Sequence, residues 1–162
     1  MNTDTRACRS VALGLIVVAC CLIFSGCEGD YAVPITTGPT HKIDQRLLGN
    51  WVSSDGTDKM KVRKLNDSIY IVSYNGDLYR AFHSDVGKTA FISAQDIDGA
   101  DRKYAYLTYK LSGDGKGLDL RAVNDKVIPK ETKDSVSVQR LLKKNLQNSE
   151  LFGDERHFTR EK

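Results

Sequence analysis

Few residues of this chain have the types and the spacing that are typical of catalytic or metal-binding residues. The histidines His41, His83 and His157 lie far apart and show no metal-ligand spacing, a distribution typical of surface or packed histidines. The run from Asp96 to Asp101 resembles a calcium loop, but its glycine is misplaced and Leu107 occupies the position of the closing glutamate. We therefore expect neither a metal site nor a cofactor.

Catalytic arrangements are equally scarce. The glycine-rich run 112–117 precedes a predicted strand, whereas a phosphate-binding loop requires the N-terminus of a helix. No Gly-x-Ser-x-Gly or His-Glu-x-x-His pattern occurs in the sequence, so we expect no catalytic residue and no enzymatic activity. With 24 Lys+Arg against 21 Asp+Glu, the net charge of +3 is too small for a dedicated nucleic-acid binder.

The first 27 residues indicate export. Arg6 and Arg9 precede fourteen uncharged residues, Val11 to Phe24. A membrane-spanning helix needs about 20 apolar residues, so this run is short for a stable anchor and fits the apolar core of a secretory signal peptide. Small residues follow it, and Cys27 stands where the apolar sequence gives way to an acidic one.

The segment Phe24-Ser25-Gly26-Cys27 resembles the lipobox of bacterial lipoproteins. The resemblance implies that signal peptidase II removes residues 1–26, that the Cys27 thiol carries a diacylglyceryl group, and that the new amino group carries a fatty acid such as palmitate. Glu28 stands in place of the aspartate that retains such proteins in the inner membrane, which favours the outer membrane facing the periplasm. Two alternatives stay open, namely cleavage before Cys20 and an uncleaved anchor.

Cysteine usage agrees with this processing. The other three cysteines lie in the removed segment, so Cys27 is the one left in the mature chain, and no disulfide framework is expected.

Residues 27–42 contain two prolines, which favour an extended chain. We therefore predict residues 27–42 as the lipidated N-terminus and a flexible tether, followed by one domain over residues 43–162.

The domain is predicted to be a meander of short antiparallel strands. Alternation of apolar and basic residues, as in Met60 to Arg63, indicates a half-buried strand. Asn75-Gly76 lies between two strand patterns and is a strong hairpin signal, because both central turn residues need positive φ. Strands are predicted from Gly49 onward, at 60–63, 68–74, 77–80, 88–95, 103–111 and 118–123, with short ones near 127–128 and 156–160. The predicted fold class is all-β, with one late α-helix.

That helix is predicted at about residues 134–147. Asp134 or Ser135 can cap its start, and an apolar stripe falls on one of its faces. The stripe consists of Val138, Leu141, Leu142 and Leu146. A single helix of this length must bury such a stripe, and the sheet is the expected partner, with a membrane surface as the alternative.

The segment from Ile43 to Trp51 resembles the opening of lipocalins, in which a short helical turn leads into Gly-x-Trp at the start of the first strand. The order of the strands and the late helix before a last strand are similar as well. The resemblance implies that residues 43–162 form a small lipocalin-like barrel of about eight antiparallel strands. It also implies structural roles for Gly49 and Trp51, with Trp51 plugging one end of the barrel.

An eight-stranded barrel is either filled by its own side chains or admits one small ligand. Our candidate ligand-binding residues are Tyr70, Tyr104 and Tyr106, because a strand tyrosine offers ring area and a hydroxyl group together. The alternative is that these tyrosines fill a small barrel and cover its outer face.

Two functions are compatible with these features. The first is a membrane-anchored envelope lipoprotein whose lipocalin-like domain holds a small apolar or amphipathic ligand. The second is a protein-interaction or inhibitor lipoprotein with a side-chain-filled barrel and no small-molecule ligand. An apolar cavity beside the candidate tyrosines would favour the first function, and a filled interior with one large exposed patch would favour the second.

Overall fold

The structure, a computed structural model, describes residues 30–161. The predicted signal peptide, the predicted cleavage position and Cys27 lie outside these residues. Between residues 30 and 161, no helix has the length and the apolar character that crossing a bilayer requires.

In this part of the chain, eight antiparallel strands form a closed barrel. Each strand pairs with the next one along the chain, and the last strand returns to pair with the first. The elements are a 3-10 helix Gln45–Leu47, β1 Gly49–Ser53, β2 Lys59–Lys64, β3 Tyr70–Tyr74, β4 Asp77–His83, β5 Phe91–Asp96, β6 Tyr104–Leu111, β7 Gly117–Val123, α1 Ser135–Asn145 and β8 Phe152–Arg160. The prediction of an all-β meander with one late helix, closing into a barrel of about eight strands, is confirmed.

Local sequence explains the best-predicted elements. In β2, Met60 and Val62 are buried and the four basic side chains are exposed, as the alternation predicted. Asn75 and Gly76 take the positive φ angles of 52° and 110° that the tight turn between β3 and β4 requires. These features depend only on neighbouring residues, which is why the sequence reveals them.

One predicted strand is wrong. Val127 and Ile128 lie in a turn, where the backbone N–H groups of both residues donate to the carbonyl of Asn124 at 3.1 and 3.0 Å. Ile128 is fully buried in a cluster that includes Val138 of α1. The apolar pair therefore reflects packing against the helix and not a strand.

Trp51 is fully buried and is held from two sides. Its indole N–H donates to the carbonyl of Leu47 at 3.0 Å, and the Arg160 guanidinium lies 4.2 Å from the ring centroid, within cation–π range. The guanidinium also donates to the carbonyl of Leu48 at 2.5 Å, which ties β8 to the start of β1. Gly49 allows this approach because its φ is +147° and a Cβ atom there would collide with Arg160.

A second apolar cluster lies outside the barrel, beneath α1. The helix falls within the predicted range, and the Asp134 carboxylate caps it by accepting the Ser137 N–H at 2.8 Å. Val138 and Leu142 are fully buried and pack with Tyr106 of β6. The apolar stripe is therefore buried on the sheet, as expected, and is not left free for a membrane surface.

Residues 31–36, which the sequence predicted as part of a flexible tether, pack along the outside of the barrel. Tyr31 forms two backbone hydrogen bonds with Tyr104, at 2.8 and 3.1 Å, and stacks on the ring of Tyr106 at 3.9 Å between centroids. Ile35 is fully buried, and its N–H donates to Ser93 Oγ at 3.0 Å. This stretch is not a free spacer, because its apolar side chains bury against β5 and β6.

Replacing Leu142 by alanine is expected to lower the free energy of unfolding by about 2 to 5 kcal/mol, because the change leaves a cavity between α1 and the barrel wall. The matched control is Val136→Ala on the same helix, since Val136 is 62% exposed and its truncation should cost less than about 0.5 kcal/mol. Urea titration followed by tryptophan fluorescence measures both changes. Equal effects of the two substitutions would contradict the packing of α1 on the barrel.

Candidate functional site

Three alanines lie side by side on the inner wall of the barrel. Ala81 of β4 pairs with Ala94 of β5, and Ala94 pairs with Ala105 of β6. All three pack with the cluster that contains Trp51, which identifies their face of the sheet as the inner one. We call these residues the alanine row. Because alanine is the smallest side chain with a Cβ, this part of the wall projects little into the interior.

The inner wall around the alanine row keeps solvent-accessible apolar surface. Several side chains belong to the interior cluster and are nevertheless only partly buried. They are Val72, Tyr74, Tyr79, Ala105, Leu107, Tyr109, Leu111 and Leu120. Side chains filling a barrel to native density would bury one another, and these apolar side chains remain partly accessible to solvent.

Another part of the interior is filled. Trp51, Tyr70, Leu118 and Phe158 are each no more than 2% exposed. The barrel is therefore tightly packed around the indole, and the partly exposed apolar side chains of the inner face line the candidate ligand-binding interior.

A cationic group stands beside this interior where β3 turns into β4. The Arg156 guanidinium donates to the Tyr74 hydroxyl at 2.6 Å and lies 3.4 Å from a carboxylate oxygen of Asp58. Burial, reinforced by the hydrogen bond with Asp58, raises the pKa of Tyr74 to about 12, so the phenol stays protonated at neutral pH. The arrangement offers polar contacts next to an apolar wall.

The three tyrosines predicted as ligand-binding residues do not share one surface. Tyr70 lies inside the barrel and is fully buried, whereas Tyr104 and Tyr106 lie on the outer face of β6. The Tyr106 hydroxyl donates to the carbonyl of Val33 at 2.5 Å. The alternation in β6 was visible in the sequence, but both of its faces are apolar, so it left the inward face undecided.

Sequence reasoning missed a cluster of side chains at the other end of β3 and β4. His83 is fully buried. Its Nε2 atom lies 2.8 Å from the Tyr70 hydroxyl, and its Nδ1 atom is buried without a hydrogen-bond partner. The ring of His41 stacks on His83 at 3.8 Å between centroids, and His41 Nε2 lies 3.0 Å from Asp85 Oδ2. We call His41, His83 and Asp85 the imidazole cluster.

Burial controls the charge of His83, the fully buried member of this cluster. Desolvation lowers the pKa of His83 from about 6.5 to about 4, with a further lowering by His41, so its imidazole is neutral at neutral pH. The sequence contained one local signal, the His83-x-Asp85 spacing. His41 lies in the segment predicted as a tether, so no sequence pattern placed it beside the other two.

A second group of ionisable side chains lies on the surface, on β7 and β8. His157 Nδ1 is 2.7 Å from Asp119 Oδ1, and His157 Nε2 is 3.7 Å from Glu155 Oε1. The hydrogen bond that His157 donates to the Asp119 carboxylate raises the pKa of His157. In this group both ring nitrogens face a carboxylate and all three side chains are at least partly exposed, as in an ordinary surface ion pair.

Comparison with models of protein families, with curated proteins and with solved structures finds no match to this chain. Arguments about its function therefore rest on the geometry of the barrel interior, on the imidazole cluster and on the sequence of the N-terminus.

The low pKa of His83 predicts a pH-dependent stability. The unfolded chain binds a proton near pH 6.5 and the folded chain only near pH 4, so the free energy of unfolding should fall as the pH decreases between these values. Since one pKa unit corresponds to about 1.4 kcal/mol, the loss should be up to about 3 kcal/mol. The titratable groups around His83 are His41, Asp44, Tyr70, Asp85 and Tyr109.

Urea denaturation at several pH values measures this loss, and His83→Gln should flatten the dependence over that interval. The control is His157→Gln. Because the pKa of His157 is raised, its contribution is present at low pH and is lost as the pH rises, so removing it acts in the opposite sense. Identical pH profiles for the parent chain and His83→Gln would show that the buried imidazole does not cause the loss.

Proposed function

We propose that this protein is a lipid-anchored protein of the bacterial envelope whose lipocalin-like barrel holds a small apolar or amphipathic molecule. The observation that supports the binding function best is the partly exposed apolar wall around the alanine row. Ligand sites in proteins are concave and mostly apolar, with a few polar groups that orient the ligand, and the barrel interior has this character.

The polar groups next to the wall favour an amphipathic ligand. Arg156 and Tyr74 lie together beside the apolar wall. A molecule with an acyl or ring portion and an anionic or hydroxylated end could bury the apolar portion against the wall and direct its polar end toward the guanidinium. Asp58, which lies 3.4 Å from that guanidinium, would compete with a charged end and so favours a ligand with a modest charge.

The anchoring part of the proposal rests on the N-terminal sequence. A basic start, a short apolar run and small residues before Cys27 support a lipoprotein signal peptide, lipidation of Cys27 and location at the outer membrane facing the periplasm. The membrane is then a partner through the acyl chains. No residue of the chain is proposed as catalytic.

A second candidate function is a protein-interaction or inhibitor role without a small ligand. The observation that favours it is the filled part of the interior, where Trp51, Tyr70 and Phe158 leave no room. The exposed apolar residues Leu65, Leu78 and Val136 belong to separate elements or turns, so they do not suggest a single docking patch. The binding function therefore has the stronger support.

Native mass spectrometry of the protein purified from its own host's envelope should show a retained small molecule. Leu107→Trp should abolish this retention, because a large ring on the inner wall of β6 occupies the candidate ligand-binding interior. Lys110→Trp is the matched control, since Lys110 is exposed on the outer face of the same strand, and it should retain the molecule. A parent protein without any retained molecule would instead favour the second function.

Cys27→Ser should abolish lipidation and cleavage before residue 27, because serine lacks the thiol that receives the diacylglyceryl group. Metabolic labelling with a fatty acid and membrane fractionation measure these effects, and the variant should remain unlabelled as an unprocessed precursor. Cys20→Ser is the matched control and should leave labelling unchanged. Labelling that is lost in Cys20→Ser and kept in Cys27→Ser would move the anchor to Cys20.

A further inference from the structure

Three metal-ligating side chains meet where the N-terminal segment crosses the end of β4. A ring nitrogen of His41, a ring nitrogen of His83 and a carboxylate oxygen of Asp85 lie within 4.8 Å of one another. Imidazole and carboxylate are ligands of first-row transition metals such as Zn²⁺. Proximity alone does not make a metal site, and two further observations favour a cation at this position.

The first observation is the orphaned nitrogen of His83. The side chain is fully buried, and its Nδ1 atom has no hydrogen-bond partner. Buried polar atoms without a partner are rare and often indicate an ion or a water molecule. The other ring nitrogen, Nε2, lies 2.8 Å from the Tyr70 hydroxyl, which also accepts the Asp44 N–H at 2.6 Å. A hydroxyl that holds the second nitrogen orients the ring, as the outer partners of metal-bound histidines do.

The second observation is that both nitrogens of His41 face hydrogen-bond acceptors. Nδ1 lies 2.8 Å from the carbonyl oxygen of Lys42, and Nε2 lies 3.0 Å from Asp85 Oδ2. A neutral imidazole carries only one N–H, so it can satisfy only one of these acceptors. A cation between Nε2 and the carboxylate would satisfy the second contact, although the same two-acceptor arrangement at His157 is an ordinary surface ion pair.

We propose that His41, His83 and Asp85 bind a divalent transition-metal ion, for which Zn²⁺ is the matching probe. His83 contributes Nδ1, the nitrogen that Tyr70 leaves available, and His41 contributes Nε2 while its Nδ1–H donates to Lys42. The Asp85 carboxylate supplies the third ligand and a negative charge. Three protein ligands leave at least one coordination position open, as in zinc sites that exchange water.

Coordination requires the His41 ring to turn out of its stack on His83, because the in-plane lone pairs of two stacked rings do not converge on one ion. A tetrahedral ion with bonds of about 2.0 Å places its ligand atoms about 3.3 Å apart, so atoms now within 4.8 Å of one another must approach by up to about 1.5 Å. The side chains of His41 and Asp85 are 43% and 29% exposed, so they can rotate toward a fixed His83. The ion would then fasten the N-terminal segment to the barrel, because His41 lies in that segment and His83 lies in β4.

The test uses the full chain after removal of bound metal with a chelator. Zn²⁺ titration by calorimetry should give one equivalent of saturable binding that His41→Ala and Asp85→Asn each weaken at least about tenfold. The matched controls are His157→Ala and Asp119→Asn in the exposed group on β7 and β8, which should leave the affinity unchanged. Circular dichroism of each variant checks folding. The two ligand variants alter the exposed His41 and the partly buried Asp85, so neither changes the buried His83.

A second readout distinguishes this site from binding by the cysteines of the full chain. Co²⁺ at two imidazoles and a carboxylate gives visible absorption without the near-ultraviolet charge-transfer bands of a thiolate ligand. The proposal is overturned if no saturable Zn²⁺ binding occurs below about 1 mM, if the controls weaken binding as much as His41→Ala does, or if the Co²⁺ spectrum shows thiolate ligation. Loss of binding in His41→Ala and Asp85→Asn, with a thiolate-free spectrum, supports it.

Discussion

The pairing of β8 with β1 is the interaction on which the rest of the structure depends. It joins the last strand to the first through the partners Trp51 and Arg160, and through Ser53 and Phe158. Closure leaves no unpaired strand edge within the barrel and divides each strand into inward and outward side chains. The alanine row on the inner face and the second apolar cluster beneath α1 on the outer face both follow from that division.

The interior combines a region of fully buried side chains with a region in which the apolar side chains are only partly buried. Around Trp51 the side chains reach near-complete burial, which supplies the stability of a small domain without a predicted disulfide. Elsewhere on the inner face, apolar side chains such as Leu107 and Leu120 are only partly buried. The proposed ligand-binding function rests on these partly buried apolar side chains.

The outer face of the barrel also carries apolar side chains that other parts of the chain cover. Phe91 and Tyr106 lie on the outer face of the sheet and are covered from outside by α1 and by the N-terminal segment. Docking of that segment brings the ring of His41 onto His83. The stretch nearest the proposed lipid anchor is therefore fixed to the barrel at two places, the Tyr31–Tyr106 stack and the imidazole cluster.

The sequence by itself determined the strands, the Asn75-Gly76 turn and the late helix, because periodicity and turn chemistry depend on residues that are close in the chain. Only the tertiary structure decided which face of β6 points inward, since Ala105 and Tyr106 occupy two apolar faces and barrel closure selects between them. It alone also brought His41 to His83, which lies 42 residues further along the chain. Contacts of this kind depend on how distant segments bury their apolar surface, and no local pattern records that choice.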